Sequence, residues 1–467
     1  MIKKITLDNF KAFKHAEIEI KPITILVGPN NGGKSSILQA IGLIQQTLKL
    51  GGPEEVLKFR TPHLNLGNFD TLIHQDLEKK EMHFNFELED GKYFDINVLK
   101  NPDNNEVYVK DFSCNNGRFE YTINEITKKK GTPKDESAYY VPKTFKFDIK
   151  TSGKEKYKEF FETFIPTFYR NNFFFIIAFY EEKKDKMFLI PDIFESTKSK
   201  ANIRSDFMEN LRFYLNLQKI STDFYQNIKQ DFQNIIYIGP LRAIARRSYE
   251  KGDYNDVGTE GEHAVQILAS NSEIRNDSQE YLKKMDIVNS LYVSEMEENS
   301  KIFEFKLKTK ITDKEVNYAD TGSGTAQILP LIVQSLKQQK ESLILIEQPE
   351  IHLHPKIQAD LADFFVKFAS NERKFLLETH SDYFIERIRY CIMNEDISSD
   401  NVAIYYIEQD EDKKCSTYTE IKINSKGQYS TSNLPDGNLP DNYVTNFKLE
   451  ENRKMMKKLL ENLSKEK

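Results

Sequence analysis

Residues 28–35 read Gly28-Pro29-Asn30-Asn31-Gly32-Gly33-Lys34-Ser35, a complete G-x-x-x-x-G-K-S phosphate loop. Before it, Pro22-Ile23-Thr24-Ile25-Leu26-Val27 is aliphatic and β-branched, as a buried strand requires; after it, Ser36-Ile37-Leu38-Gln39-Ala40-Ile41-Gly42-Leu43-Ile44 has helical spacing. The loop therefore joins strand to helix, the arrangement in which curled main-chain N–H groups and a helix N-terminus hold phosphate oxygens. On this reading Asn30, Asn31, Gly32, Gly33, Lys34, Ser35 and Ser36 contact a nucleotide. Lys34 reaches the β- and γ-phosphates, and the Ser35 hydroxyl is a magnesium ligand.

The chain has 467 residues, 39% of them hydrophobic, enough for two or three domains with substantial cores. Its three cysteines, Cys114, Cys391 and Cys415, lie far apart, which suggests neither a disulfide framework nor a thiolate zinc site and fits a reducing cytoplasm. The N-terminus has no signal-peptide pattern, and no run approaches the roughly 18 apolar residues of a membrane span, so no membrane partner is expected. A net charge of −6 argues against a surface coated with nucleic acid and leaves room for a local basic patch.

Alternation over residues 2–8 and 15–20 predicts strands beside the phosphate-loop core, and period-two segments across 82–123 predict a β-meander. Residues 124–235 change character, with a Lys-rich loop, a Phe/Tyr-rich stretch and helical candidates near 201–233, and are expected to form an inserted lobe. From 236 the core resumes, with a polar helical segment expected at 261–298, strands at 302–310 and 314–319, and a helix at 325–338. The expected division is thus 1–123, 124–235 and 236–467.

Leu343-Ile344-Leu345-Ile346-Glu347 has the form of a buried parallel strand that delivers a carboxylate to magnesium, a Walker B segment. Before it, Asp320-Thr321-Gly322-Ser323-Gly324-Thr325 is a small-residue loop opening a helix, suited to hold a γ-phosphate. After it, Lys374-Phe375-Leu376-Leu377-Glu378-Thr379-His380-Ser381 is a second buried strand ending in a histidine whose neutral ring can donate to that phosphate.

This order of phosphate loop, glycine-rich signature, Walker B and terminal histidine resembles the soluble branch of the ABC-type ATPases that includes the RecF, SMC and OLD families. Gln348-Pro349-Glu350-Ile351-His352-Leu353-His354-Pro355 and Glu378-Thr379-His380-Ser381 are similar to the AAA-annotated ATPases related to OLD. The motifs cover residues 1–75 and 236–410. The resemblance implies an α/β fold, an ABC-type ATPase head made of a phosphate-loop sheet flanked by helices plus an antiparallel β lobe, here with an inserted α+β accessory domain. It also implies ATP and Mg2+ as cofactors and a head-to-head homodimer in which each phosphate loop faces the partner's Ser323 and Gly324. A magnesium-contacting glutamine, assigned to Gln75, completes the metal set with Ser35 and Glu347.

The family usually has a glutamate after the Walker B acid, and here Gln348 stands there. An amide cannot take a proton as a carboxylate does. Slow hydrolysis, Glu350 as base, or Gln348 orienting water while another group takes the proton all remain open, so Glu347, Gln348, Glu350 and His380 are the catalytic candidates. His352 and His354 are expected to pack or hydrogen-bond rather than bind metal. Glu408, Asp410, Glu411 and Asp412 stand where OLD-type nucleases begin a metal-dependent domain, but the remaining residues read as a hairpin, a loop at 433–443 and a helix at 448–464. They are expected to be a solvated turn, with no nuclease in this chain. Arg242, Arg246 and Arg247 form the clearest basic cluster and would touch a nucleic-acid backbone or a partner's acids, unless they are simply a solvated face. Three functions follow as expectations: a sensor or regulatory ATPase of a bacterial anti-phage defence complex whose effector is encoded separately, a RecF-like DNA-binding repair ATPase, or an ATP-bound scaffold with little turnover.

Overall fold

The structure is a computed structural model. It describes residues 1–431 apart from 53–54, 63, 76–79, 118, 130–138, 150–164, 172–173, 182–185, 189–218, 220, 297–299, 310–313 and 338–340. The chain divides into two compact units, Met1–Ile18 with Gln39–Asn234, and Glu19–Leu38 with Ile235–Lys467.

The second unit is built on a seven-stranded sheet. Its strand order is Ile235–Ile238, Ser342–Glu347, Arg373–Glu378, Ile23–Val27, Val402–Asp410, Cys415–Ile423 and Tyr429–Thr431. The first five run parallel, and each of the last two pairs antiparallel with the strand before it. Ile235–Ile238, Ile23–Val27 and Ser342–Glu347 are buried along their whole length, because helices cover both faces of a parallel sheet and leave no polar side. The phosphate loop and the two acids that close Ser342–Glu347 and Arg373–Glu378 thus meet at the carboxyl ends of the strands, where α/β sheets place their ligands.

The flanking helices follow local rules. Lys34–Leu50 begins at the phosphate loop. Pro355–Phe368 starts with Pro at its first turn and His354 as N-cap, the His354 ring accepting from the Lys356 N–H at 3.3 Å. His354 is therefore a capping group, the hydrogen-bonding role expected of it.

The first unit is a ten-stranded antiparallel sheet that extends from the 81–129 meander through Tyr139–Ile149, Ile165–Asn171, Phe174–Glu181 and Lys186–Phe188, with Ile2–Phe10 and Phe13–Glu19 at its other end. The expected meander is present as Glu81–Leu88, Tyr93–Lys100, Val107–Asn115 and Phe119–Lys129. A helix over 221–233 lays Phe232 against Phe86 and Phe94, with ring centroids 5.5 and 5.8 Å apart. The expected helical stretch at 201–218 and the terminal loop and helix after 431 lie outside the described residues. No helix among the described residues is long and apolar enough to cross a membrane.

Some boundaries differ from expectation. The polar segment 261–298 is two helices, Ala264–Ser270 and Ser272–Lys284, followed by the strand Ser290–Glu295. Asn271 leaves helical geometry and caps the second helix through its side chain, which ends the first. Leu291-Tyr292-Val293 then pairs with Ile302–Lys308, so strand pairing overrides the helical pattern. The expected strand at 314–319 reduces to Val316–Asn317, because the Asn317 side chain accepts from the Ala319 N–H and starts a 3-10 turn. The signature helix starts earlier than expected and spans Ser323–Lys337.

On the first unit's sheet, the two ring nitrogens of His83 face the carboxylates of Asp8 and Asp95 at 2.6 and 2.8 Å, and Asp8 also meets His15 at 2.6 Å. Burial alone would lower the His83 pKa, but the two carboxylates outweigh it and raise it to about 9. A raised folded-state pKa stabilises fully below the unfolded value near 6.5 and loses that contribution as pH rises through about 9. The thermal midpoint is therefore expected to fall between pH 7 and pH 9.5, with His83→Gln flattening that slope; an equal slope in the variant refutes the assignment.

Candidate nucleotide site

The phosphate loop is closed by its own atoms. The Gly32 N–H donates to the Pro29 carbonyl at 3.2 Å and the Ser36 N–H to the Gly33 carbonyl at 3.0 Å, while Asn31 and Gly33 take positive φ. The buried Lys34 ammonium donates to the carbonyls of Gly28 and Pro29 at 3.1 and 2.8 Å. Gly28 has φ +137°, and a β-carbon there would lie 1.9 Å from the Ile407 carbonyl oxygen. Only glycine allows that strand to pass so close. The Gln409 side chain then donates to the Asn31 carbonyl at 2.9 Å, so the strand Val402–Asp410 braces the loop from one side.

On the other side stands Glu378. Its strand lies between the phosphate-loop strand and the Glu347 strand, with Glu378 in register with both Leu26 and Glu347. Glu378 accepts the Ser35 hydroxyl at 2.7 Å and stands 3.8 Å from the Lys34 ammonium. Glu347, one strand farther out by about 4.8 Å of sheet width, instead accepts the Tyr237 hydroxyl of the strand beyond it. Glu378 thus touches the phosphate loop at both Ser35 and Lys34. Its signal in the sequence is the one that Glu347 carries, an acid closing a buried strand.

Gln348 follows Glu347 with φ +46°, a conformation that costs a non-glycine residue about 1 kcal/mol or more. Its N–H donates to the Glu378 carbonyl at 2.7 Å, and its carbonyl accepts from the Arg242 guanidinium at 2.9 Å. Arg242 also donates to the carbonyls of Glu347 at 2.8 Å and Pro240 at 3.1 Å, and is 5% exposed. Burial lowers its pKa to about 10, opposed by Glu350 and Glu347, so it stays charged at neutral pH. Arg242 is therefore a staple for the Walker B exit and not part of a basic surface. Residues 241–248 form no helix; Arg247 pairs with Asp320 through two hydrogen bonds, of 3.1 and 2.6 Å, and Arg246 is exposed.

Glu350 holds the end of the Glu378 strand. One oxygen accepts the Thr379 hydroxyl at 2.8 Å and the other the His380 N–H at 2.7 Å. Ser381 caps the next helix and donates to Gln358 at 2.5 Å. The His380 ring is at the surface, its pKa lowered by partial desolvation and then by Lys34, which keeps it neutral at pH 7. Ser323 and Gly324 form the first turn of the Ser323–Lys337 helix, where a β-carbon at Gly324 would stand 3.2 Å from the His352 carbonyl. Among the described residues no hydrogen bond joins them to the phosphate loop. Gln75 occupies an exposed turn of the first unit, whereas the phosphate loop belongs to the second. Glu408, Glu411 and Asp412 are exposed around the turn at 411–414, the solvated arrangement expected of them.

Burial lowers the Lys34 pKa against the pull of Glu378, Glu350 and Glu347, and burial raises those of Glu378 and Glu350. Each shift favours the neutral form, so the cluster costs stability, as charges gathered for a ligand do. A magnesium ion fits this donor set: the Ser35 hydroxyl and the Glu378 carboxylate are hard oxygen donors in contact, with Glu347 in register beside them. Among the described residues no group of three or more His, Cys, Asp or Glu is placed to hold a metal ion.

The sequence profile of the family described as AAA ATPase domain matches residues 1–385. An OLD nuclease from Thermus scotoductus is 38% identical over 72 residues, 15% of this chain; the chain spans only 12% of that relative's length. Solved structures with similarity include the SMC head domain from Thermotoga maritima, at TM-score 0.33 and 10% identity over 89% of this chain and 97% of that one. Another is an Smc head with an extended coiled coil bound to the C-terminal domain of ScpA, derived from Pyrococcus furiosus, at TM-score 0.39 and 12% identity over 90% and 96%. These scores are too low to carry an inference of shared architecture.

Two substitutions test the geometry. Gly28→Ala is expected to lower stability by about 2 kcal/mol or more, from the positive φ and the Ile407 carbonyl, whereas Gly52→Ala, with nothing within 4 Å, should be near neutral. Arg242→Ala should cost about 3 kcal/mol by leaving three carbonyls without their donor, as read by denaturant unfolding.

Proposed function

From the premise that this chain belongs to the AAA ATPase domain family, we propose that it binds ATP with magnesium and hydrolyses it slowly. The observation that supports this most directly is the contact of Ser35 and Lys34 with Glu378 at the carboxyl ends of the parallel strands. In this reading the main-chain N–H groups of Asn30 to Ser36 and the Ser323 turn donate to phosphate oxygens, and Lys34 neutralises phosphate charge. Magnesium, when bound, shields the triphosphate from the site's carboxylates. Ser35 and Glu347 are assigned to hold it. Gln348 orients the attacking water, while Glu350, whose oxygens are engaged by Thr379 and His380, is the carboxylate left to take the proton if those contacts loosen.

The head is assigned to a homodimer that closes around nucleotide, with residues 124–235 as an accessory lobe. The likeness to an OLD nuclease supports a sensor or regulator in a bacterial anti-phage defence complex with a separately encoded effector, acting in the cytoplasm. A scaffold with little turnover is the second reading, favoured by the amide at Gln348. The repair reading loses its main support with Arg242 buried and Arg247 paired.

Steady-state hydrolysis with Lys34→Ala as blank tests the enzyme reading. Slow, DNA-independent turnover above the blank is expected, and Gln348→Glu should raise kcat by about 100-fold if the missing base limits the rate. Wild-type turnover no greater than the blank favours the scaffold. Stimulation by duplex DNA, lost on reversing the charge of Arg246, restores the repair reading. Light scattering with and without ATP should show a mass doubling with nucleotide.

A further inference from the structure

We propose that Glu378 is a positioning carboxylate of the magnesium site, which orients the Ser35 hydroxyl towards the ion and makes nucleotide binding depend on that ion. The inference rests on the ATP reading above and adds to it a residue and a regulation of affinity. Among the three acids that bear on Lys34, the described contacts separate their tasks. Glu347 accepts the Tyr237 hydroxyl, and Glu350 spends both oxygens on Thr379 and His380. Glu378 meets both functional side chains of the phosphate loop, the Ser35 hydroxyl at 2.7 Å and the Lys34 ammonium at 3.8 Å.

The Ser35 hydroxyl has one proton and two lone pairs. With that proton given to Glu378 at 2.7 Å, its remaining lone pairs are the groups it can offer a cation. A partner that orients a metal ligand in this way typically affects metal affinity by about 10- to 100-fold. The second consequence is electrostatic. Glu378 is 5% exposed and sits beside the loop that must receive a polyanion, so its charge opposes a bare triphosphate and favours one that carries a divalent cation. Its placement follows from strand order, since the strand it closes pairs directly with the phosphate-loop strand.

The test uses the full-length chain and a fluorescent N-methylanthraniloyl ATP, titrated in excess MgCl2 and in EDTA. Wild-type protein is expected to bind much more tightly with magnesium. Glu378→Gln should lose about 10- to 100-fold of that magnesium enhancement, while its affinity in EDTA stays equal or improves because one opposing charge is gone. Ser35→Ala should lose the enhancement too, and the double variant should be no worse than Ser35→Ala, as expected when one residue acts through the other. Unchanged magnesium dependence in Glu378→Gln overturns the inference, and so does an equal loss in MgCl2 and EDTA, which would mark Glu378 as mere support for the loop. Wild-type protein that binds the probe in neither condition overturns the nucleotide reading itself, and this inference with it.

Discussion

The site depends on one feature of sheet topology: Arg373–Glu378 lies between the phosphate-loop strand and the Glu347 strand, in register with both. Parallel strands in register bring their carboxyl ends to one level, so two acids, the loop and the histidine segment share an edge. Had the two neighbours been exchanged, Glu347 would stand beside Lys34 and Ser35. As built, Glu378 takes that place, and Glu347 turns to Tyr237 on the far side.

This arrangement gathers charges that burial disfavours. Lys34, Glu350 and Glu378 are all pushed towards their neutral forms, and the Arg242 guanidinium is spent on main-chain carbonyls. A left-handed Gln348 sits among them, held between the Glu378 carbonyl and Arg242. Strain and unfavourable burial concentrated at one sheet edge, beside largely buried strands, are what a ligand site looks like before its ligand is considered. The brace from Ile407 and Gln409 adds the complementary constraint, since it leaves no room for a side chain at Gly28.

Much of the framework was legible in the residues themselves. The phosphate loop, the buried strands at 23–27, 342–347 and 373–378, and the meander all carry strong local patterns. The expectations that slipped did so where a single polar side chain reset the backbone, as Asn271 and Asn317 do, or where β pairing took Leu291-Tyr292-Val293 from a helical pattern. Arg242 was misread for a different reason. Clustering in sequence says nothing of burial, and three arginines within six residues have three different fates here.

The sequence by itself determined that a strand runs into a phosphate-binding turn and a helix, and that two further apolar strands end in carboxylates, because those facts rest on local periodicity and on the conformational demands of glycine. Which carboxylate meets the loop was decided only by the tertiary structure. Strand order and register arise from long-range pairing, which places residues 343 positions apart, Ser35 and Glu378, within a hydrogen bond, and no local pattern encodes which of two similar strands will be the neighbour.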